Sequence, residues 1–463
     1  MMSCSTTTLR GPILNPLPSG TVEFHQNGAL QWDEHGRITY IGDAAHLPAT
    51  PARNVQSCGV ILPPFLDCHI HIPQWPIRGR FCDGVVGCPA EGRLLAGLNR
   101  NVFPYEARCA EPVHTIETVA AFREDTLAHG VVGGAAYMTV HAPAVAQALH
   151  DLPATWSVGL VLMNMNCPAY LRTDETNLDR DVESLAREFG RRMIVTDRFA
   201  VAVDSPLRRR AVALAERFGL RTQTHLNEQL REKELVERTL YPDAASYTDV
   251  YARDGLPQRE AIMAHCIHMR DAEFDQLAAA GAVIAHCPTS NSLLGSGIMR
   301  LDGVIDRNIP YAICTDVGAS PTTSILCEMA QFLKVHAGRS RRATPSEALV
   351  RTTIKAAEML GLADQLGTFA PGRPASFIEV DCDVDALRGA SADEAILTAL
   401  LAMNQSGPPA RPEFESLAKG SLDTGAELDW ITNDFNAAAE RLDRKVNRVT
   451  LEGQSAWERT TAK

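Results

Sequence analysis

The chain has 463 residues, 45% of them hydrophobic and 22% charged, with a formal net charge of −12. That length allows a barrel-sized core of roughly 250 residues with something appended, and the acidic balance excludes a nucleic-acid polymer as an expected partner, because like charge repels a phosphate backbone. Twelve scattered cysteines contain no Cys-x-x-Cys pair, so neither a disulfide framework nor a zinc ribbon is indicated and reduced thiols fit the cytoplasm.

The start, MMSCSTTTLRGPILNP, lacks the basic segment and long apolar stretch of a signal peptide, and no run is long enough to span a bilayer. Residues 1–62 read as short strands broken by turns: Gly20 to Phe24, Ala29 to Trp32 and Ile38 to Gly42. From Ile61 short apolar runs alternate with helical stretches. The runs include Val158–Met163, Arg192–Thr196, Arg221–His225, Ala261–Cys266, Val283–Cys287 and Tyr311–Thr315; helix-like segments between them include Leu207–Phe218 and Ala272–Ala280. Such alternation implies parallel strands with crossover helices, and a number of runs nearer eight than five favours a closed barrel over an open sheet. After Gly361, LGTFAPGRPASFIEV and the apolar run Ile396–Met403 look like strands that rejoin the first ones. Leu428, Ile431, Phe435, Ala438, Leu442, Val446 and Val449 then recur every three or four residues, the pattern of an amphipathic helix docked on the barrel or across a dimer. The expected fold is α/β: a (β/α)8 TIM-like barrel over 63–366, a small β-sandwich from 1–62 and 367–425, and a terminal helix and tail over 426–463.

The chemistry concentrates at the ends of the apolar runs. His69-Ile70-His71 follows Val60–Leu66, and residues two apart on a strand point the same way, so two imidazoles converge at the C-terminal end of the first barrel strand. Alone, a His-x-His is weak. His225 ends RTQTH, His265 ends AIMAH and Asp316 ends YAICTD. Three imidazoles and a carboxylate suit Zn²⁺, or Fe²⁺ in some settings, with a position left for water. Barrel hydrolases with two metals usually bridge them with a carbamylated lysine from a mid-barrel strand; here the first lysine is Lys233, after His225, so a single metal is expected. The His-x-Glu with Pro-Cys-x-x-Cys of cytidine deaminases is absent. Glu228, three residues beyond His225, stands where a carboxylate can carry protons, Asp316 can also accept a proton from water, and His265 can orient the nucleophile.

PPFLDCHIHIPQ, TDRFAVAV, THLNEQ, MAHCIHM, AHCPTSNSLLGSGI and ICTDVGA resemble the guanine deaminases of the amidohydrolase superfamily, from about Leu62 to Gly372. The resemblance implies that His69, His71, His225 and Asp316 hold one zinc per chain. It implies that Glu228 shuttles protons, that His265 assists at the metal, and that Gln74, Arg198 and Phe199 hold a purine. Guanine's O6 and N7 acceptors suit a guanidinium, and Phe199 offers a stacking face. Water would then replace the amine and give xanthine and ammonia, and the chain would act as a homodimer on a small molecule, with neither nucleic acid nor membrane as partner.

One departure bears on the substrate. The family commonly has Leu-Leu-Glu-Trp-Leu ahead of Phe-Pro, whereas this chain has Leu94, Leu95, Ala96, Gly97 and Leu98 before Phe103-Pro104. Leu95 is expected at the substrate, and glycine for tryptophan is expected to open a wall. The same chemistry on isoxanthopterin or another pterin, 8-oxoguanine or a triazine is therefore an alternative; a non-catalytic barrel scaffold is a remote one. His114, His141, His268 and His286 are expected to be structural.

Overall fold

The computed structural model of the chain describes residues 6–49, 51–85, 92–401, 442 and 445–459. Five strands, β1 (Thr6–Pro16), β2 (Val22–Trp32), β3 (Ile38–Asp43), β4 (Ala52–Gln56) and β5 (Gly59–Leu62), precede the barrel. The barrel strands are β6 (Phe65–His71), β7 (Val131–Tyr137), β8 (Trp156–Leu162), β9 (Met193–Asp197), β10 (Arg221–Leu226), β11 (Ile262–His265), β12 (Val283–His286) and β13 (Tyr311–Ile313). They pair in chain order, each parallel to the next. The ring is drawn shut between its first and last strands: Asp316 N donates to His69 O at 2.9 Å and His71 N to Val317 O at 2.6 Å. The Thr315 hydroxyl donates to the buried Asp67 carboxylate at 2.5 Å. This is the expected barrel.

Local signals explain its helices. Ser205–Phe218 starts at Asp204, whose side chain accepts from Leu207 N, and stops at Gly219, whose φ of +63° suits glycine. Strand β7, VVGGAAY, is the one whose sequence hides it, because two glycines interrupt the apolar run. A Cβ on Gly134 would lie 2.0 Å from Asp67 O, so the glycine marks close approach of two backbones.

The outer strands build a second sheet. Its order is β16-β15-β14-β5-β1-β2-β3 with β4 beside β1, where β14 is Phe377–Asp381, β15 is Val446–Leu451 and β16 is Gln454–Glu458. Segments from both ends of the chain thus form one mixed eight-stranded sheet, with Leu9, Ile13, Leu30, Trp32, Ile61 and Phe377 in a core of their own. β1 runs unbroken through Gly11 and Pro12, and the two short strands expected at Gly20–Phe24 and Ala29–Trp32 are one, β2.

Two expectations for this region fail. The described part of Ile396–Met403, up to Leu401, is not a strand: Ser391 and Glu394 form a capping box that starts helical structure through Leu400, and Ala402 and Met403 lie outside the described residues. A continuous apolar run carries no strand periodicity to oppose that signal. Of the expected terminal amphipathic helix, Leu428, Ile431, Phe435 and Ala438 lie outside the described residues, and Leu442 is helical and buried. Val446 and Val449 belong to β15, paired with β14. Their spacing of three arises from a bulge in that ladder, which places both on the buried side. Among the described residues no helix is long and apolar enough to cross a membrane.

Candidate active site

Strand β6 ends with His69 and His71, both buried and both directed at Asp316, with Nε2 to Oδ1 distances of 3.2 Å in each case. β10 brings His225 and β11 brings His265. Donor atoms of His69, His225, His265 and Asp316 all lie within 4.8 Å of one another. His265 therefore belongs to this cluster, while His71 stands beside it through Asp316. His265 (φ +68°) and Asp316 (φ +54°) adopt left-handed backbone, which is rare outside glycine and typical of functional sites where a side chain is turned off its strand.

The donor set fits a metal ion. Both ring nitrogens of His69, Nδ1 of His71 and Nε2 of His265 are buried without a hydrogen-bond partner. Such nitrogens are costly unless something binds them. His225 Nδ1 is taken by Arg198 O at 2.6 Å, which leaves Nε2 as its ligand atom. Burial lowers His225 well below the ordinary imidazole range and His71 to about 3, so these rings are neutral and able to coordinate. Burial alone would raise Asp316, but the His69 and His71 imidazoles set against its oxygen outweigh it and keep the carboxyl well below its usual range.

Glu228 lies across the cluster, its Oε2 3.7 Å from His265 Nε2. Burial pushes its carboxyl up to about 7, the range that suits a group required both to take and to give a proton. One short segment, Pro288 to Ser296, holds three of these side chains. Ser290 Oγ donates to Asp316 Oδ2 at 2.5 Å, His265 Nδ1 meets Asn291 Oδ1 at 2.8 Å, and Ser296 Oγ donates to Glu228 Oε1 at 2.9 Å. The buried Glu328 accepts Thr289 N at 3.1 Å and anchors the start of that segment.

Above the cluster is a small pocket with about 360 Å³ of empty space, part of it open to solvent. Gln74, Arg198 and Phe199 all line it, as expected. Leu95 does not. Leu94 and Leu98, four apart on one face of the helical turn, supply the apolar wall, and Leu95 is rotated off that face. The opening expected at Gly97 is filled: the Phe81 ring, itself a pocket residue, stands where a Cβ on Gly97 would meet Cε1 at 2.5 Å. Behind the pocket, Glu106 accepts Arg198 Nη1 at 2.8 Å and Gln74 Nε2 at 3.0 Å. His286 has no part in this; it pairs with His336 at 3.1 Å and packs on Phe332.

Residues 60–419 match the family model described as the amidohydrolase family. The guanine deaminase of Escherichia coli (strain K12) is 31% identical over 375 residues, covering 78% of this chain and 83% of that protein. The chain belongs to the guanine deaminases of the amidohydrolase family. The mouse guanine deaminase, from Mus musculus, is 29% identical over 80% of this chain and 82% of its own. A crystal structure of guanine deaminase from C. acetobutylicum with guanine bound in its active site shares the fold, with a TM-score of 0.75 and 21% identity over 98% of this chain and 100% of that one. As a guanine deaminase family member the chain is a hydrolase acting on C–N bonds. The site includes groups that the sequence did not single out: Phe81 in the pocket wall, and Glu106, Ser290, Asn291 and Ser296 behind it, each hydrogen-bonded to a residue that lines it. AHCPTSNSLLGSGI held a readable clue, since a run of hydroxyl and amide side chains beside a strand end needs partners wherever it is buried. Nothing in the sequence links Glu106 to Arg198, ninety-two residues away.

Proposed function

We propose that the chain hydrolyses guanine to xanthine and ammonia, with one Zn²⁺, or Fe²⁺ in its place, held by His69, His71, His225 and Asp316 and assisted by His265. The observation that carries this reading is a single small pocket with a proton-carrying carboxyl and a metal-ligand cluster on its floor and a guanidinium, an amide and an aromatic ring on its wall. A divalent ion at the floor supplies Lewis acidity that makes water nucleophilic near neutral pH. Glu228, held by Ser296, would take one proton from the attacking water and pass it to the ring nitrogen beside the amino-bearing carbon, then carry the second proton, from the new hydroxyl, to the amine as ammonia leaves and the carbonyl forms. Arg198 and Gln74 hold the purine edge, and Phe199 covers its face. Phe81 at the Gly97 position narrows the wall, which favours guanine over the wider pterins. A cytoplasmic homodimer is part of the proposal, and a monomer mass by light scattering of the purified chain would remove that part.

The test is ammonia release by the metal-loaded protein from guanine, 8-oxoguanine and isoxanthopterin side by side. Guanine is expected to lead in kcat/KM by about 100-fold, or ~2.7 kcal/mol of discrimination. A pterin in the lead would move the substrate and leave the chemistry in place. Metal-loaded protein that deaminates none of them would sink the proposal.

A further inference from the structure

Glu106 does not line the pocket; it stands behind the two polar side chains that do. Its carboxylate, 1% exposed, accepts Arg198 Nη1 at 2.8 and 3.1 Å and Gln74 Nε2 at 3.0 Å. Arg198 is fixed from other directions as well. Phe103 lies under its guanidinium, 5.2 Å from Cζ to ring centroid, and its carbonyl accepts His225 Nδ1 at 2.6 Å.

Charge and polarity both follow from that arrangement. A lone buried guanidinium facing a pocket draws anions strongly; bound to Glu106 it forms a neutral pair, and an arriving anion meets no net positive charge. A carboxylate only accepts, so Gln74 must turn its NH₂ toward Glu106, and its carbonyl oxygen is the group left for a ligand. Arg198 retains donors beyond Nη1. The two groups meet on one oxygen of Glu106, so they present an acceptor and a donor within the width of one small ring.

We propose that Glu106 sets the specificity of this pocket, selecting a neutral lactam edge whose ring N–H meets Gln74 and whose carbonyl oxygen meets Arg198, and disfavouring anionic heterocycles. The inference rests on the proposed guanine reaction and names the form in which the substrate is taken, the neutral keto form. Glu106 is a positioning residue, because it acts through Arg198 and Gln74.

Calorimetric binding to the metal-loaded protein tests this without turnover. Hypoxanthine is a neutral lactam with no amino group to lose, and urate is a monoanion at neutral pH. The wild type is expected to prefer hypoxanthine. Glu106→Gln should cut that preference at least about tenfold by uncovering the Arg198 charge, and Glu106→Asp, which keeps the charge, should preserve it. Equal weakening of both ligands in Glu106→Gln, with the preference unchanged, overturns the proposal, since a merely structural role gives that result. A second measurement needs no variant. Wild-type protein should bind hypoxanthine at least about tenfold more tightly than purine, which offers a bare ring nitrogen and no carbonyl. Equal affinity, or no binding of hypoxanthine, overturns the lactam assignment. Guanine that releases no ammonia while these preferences hold would fail the reaction and leave the recognition standing.

Discussion

On the floor of the pocket Asp316, His265 and Glu228 are each held by a different residue of the 288–296 segment, whereas on the wall Gln74 and Arg198 share one carboxylate, Glu106. The floor is backed by closed backbone ladders; the wall around Phe81, Leu94 and Leu98 comes from irregular chain between β6 and β7. Damage to the floor should therefore stop the chemistry one group at a time and leave binding in place. Damage to the wall should change what is bound and how tightly, with the metal undisturbed.

The sharpest break in that comparison is His225→Ala set against Arg198→Ala. His225 contributes a donor to the metal cluster, so its loss should remove the ion and lower kcat/KM by more than about 10³-fold, ~4 kcal/mol. Arg198 touches His225 only through its backbone carbonyl, which alanine keeps. Arg198→Ala should therefore retain the metal by elemental analysis and show its loss in KM. Metal missing from the arginine variant would mean that floor and wall are one unit.

Within the floor, Glu228→Gln should keep the metal and lower kcat by roughly 10²–10⁴-fold, the usual contribution of a positioned proton carrier. Ser296→Ala removes only the hydroxyl that holds Glu228 at 2.9 Å. A hydrogen bond of that kind should be worth about tenfold in kcat, ~1.4 kcal/mol, with KM within about twofold. Steady-state kinetics that put the Ser296 effect in KM would assign the serine to the wall.

Much of the floor was legible in the sequence for a physical reason. A barrel places its chemistry at the C-terminal ends of strands; His69, His71, His265 and Asp316 end or closely follow an apolar run that announces the strand, and His225 follows the threonine-rich RTQT. The expected runs at β8 to β13 lie within a few residues of the observed strands for the same reason. The wall has no such periodicity. Leu95 was expected at the substrate and Leu94 and Leu98 are there, because the face of a short helical turn is set by how it docks. Glu106 is one acid among many until the fold brings it to Arg198. At the far end, a bulge gave Val446 and Val449 a helix-like spacing inside a strand.

The smallest effect concerns that wall and separates space from conformation. Gly97 lies in ordinary right-handed backbone, φ −64°, so its glycine is not required by the chain's path. In an open site Gly97→Ala would be neutral or slightly stabilising in a helical turn, by up to about 1 kcal/mol. Here the added Cβ would meet Phe81 Cε1 at 2.5 Å, Cδ1 at 2.6 Å and the Phe81 backbone oxygen at 2.8 Å, and overpacking of this kind costs about 1–3 kcal/mol. The ring must shift into the pocket, so KM for guanine should rise several-fold while kcat and metal content hold. Phe81→Leu in the same chain removes the ring contacts, though not the one to the backbone oxygen, and should restore part of the lost affinity, a coupling of about 1 kcal/mol in a double-mutant cycle. If the two changes simply add, Phe81 and Gly97 do not share the wall, and the narrow pocket that favours guanine over a pterin loses its structural basis.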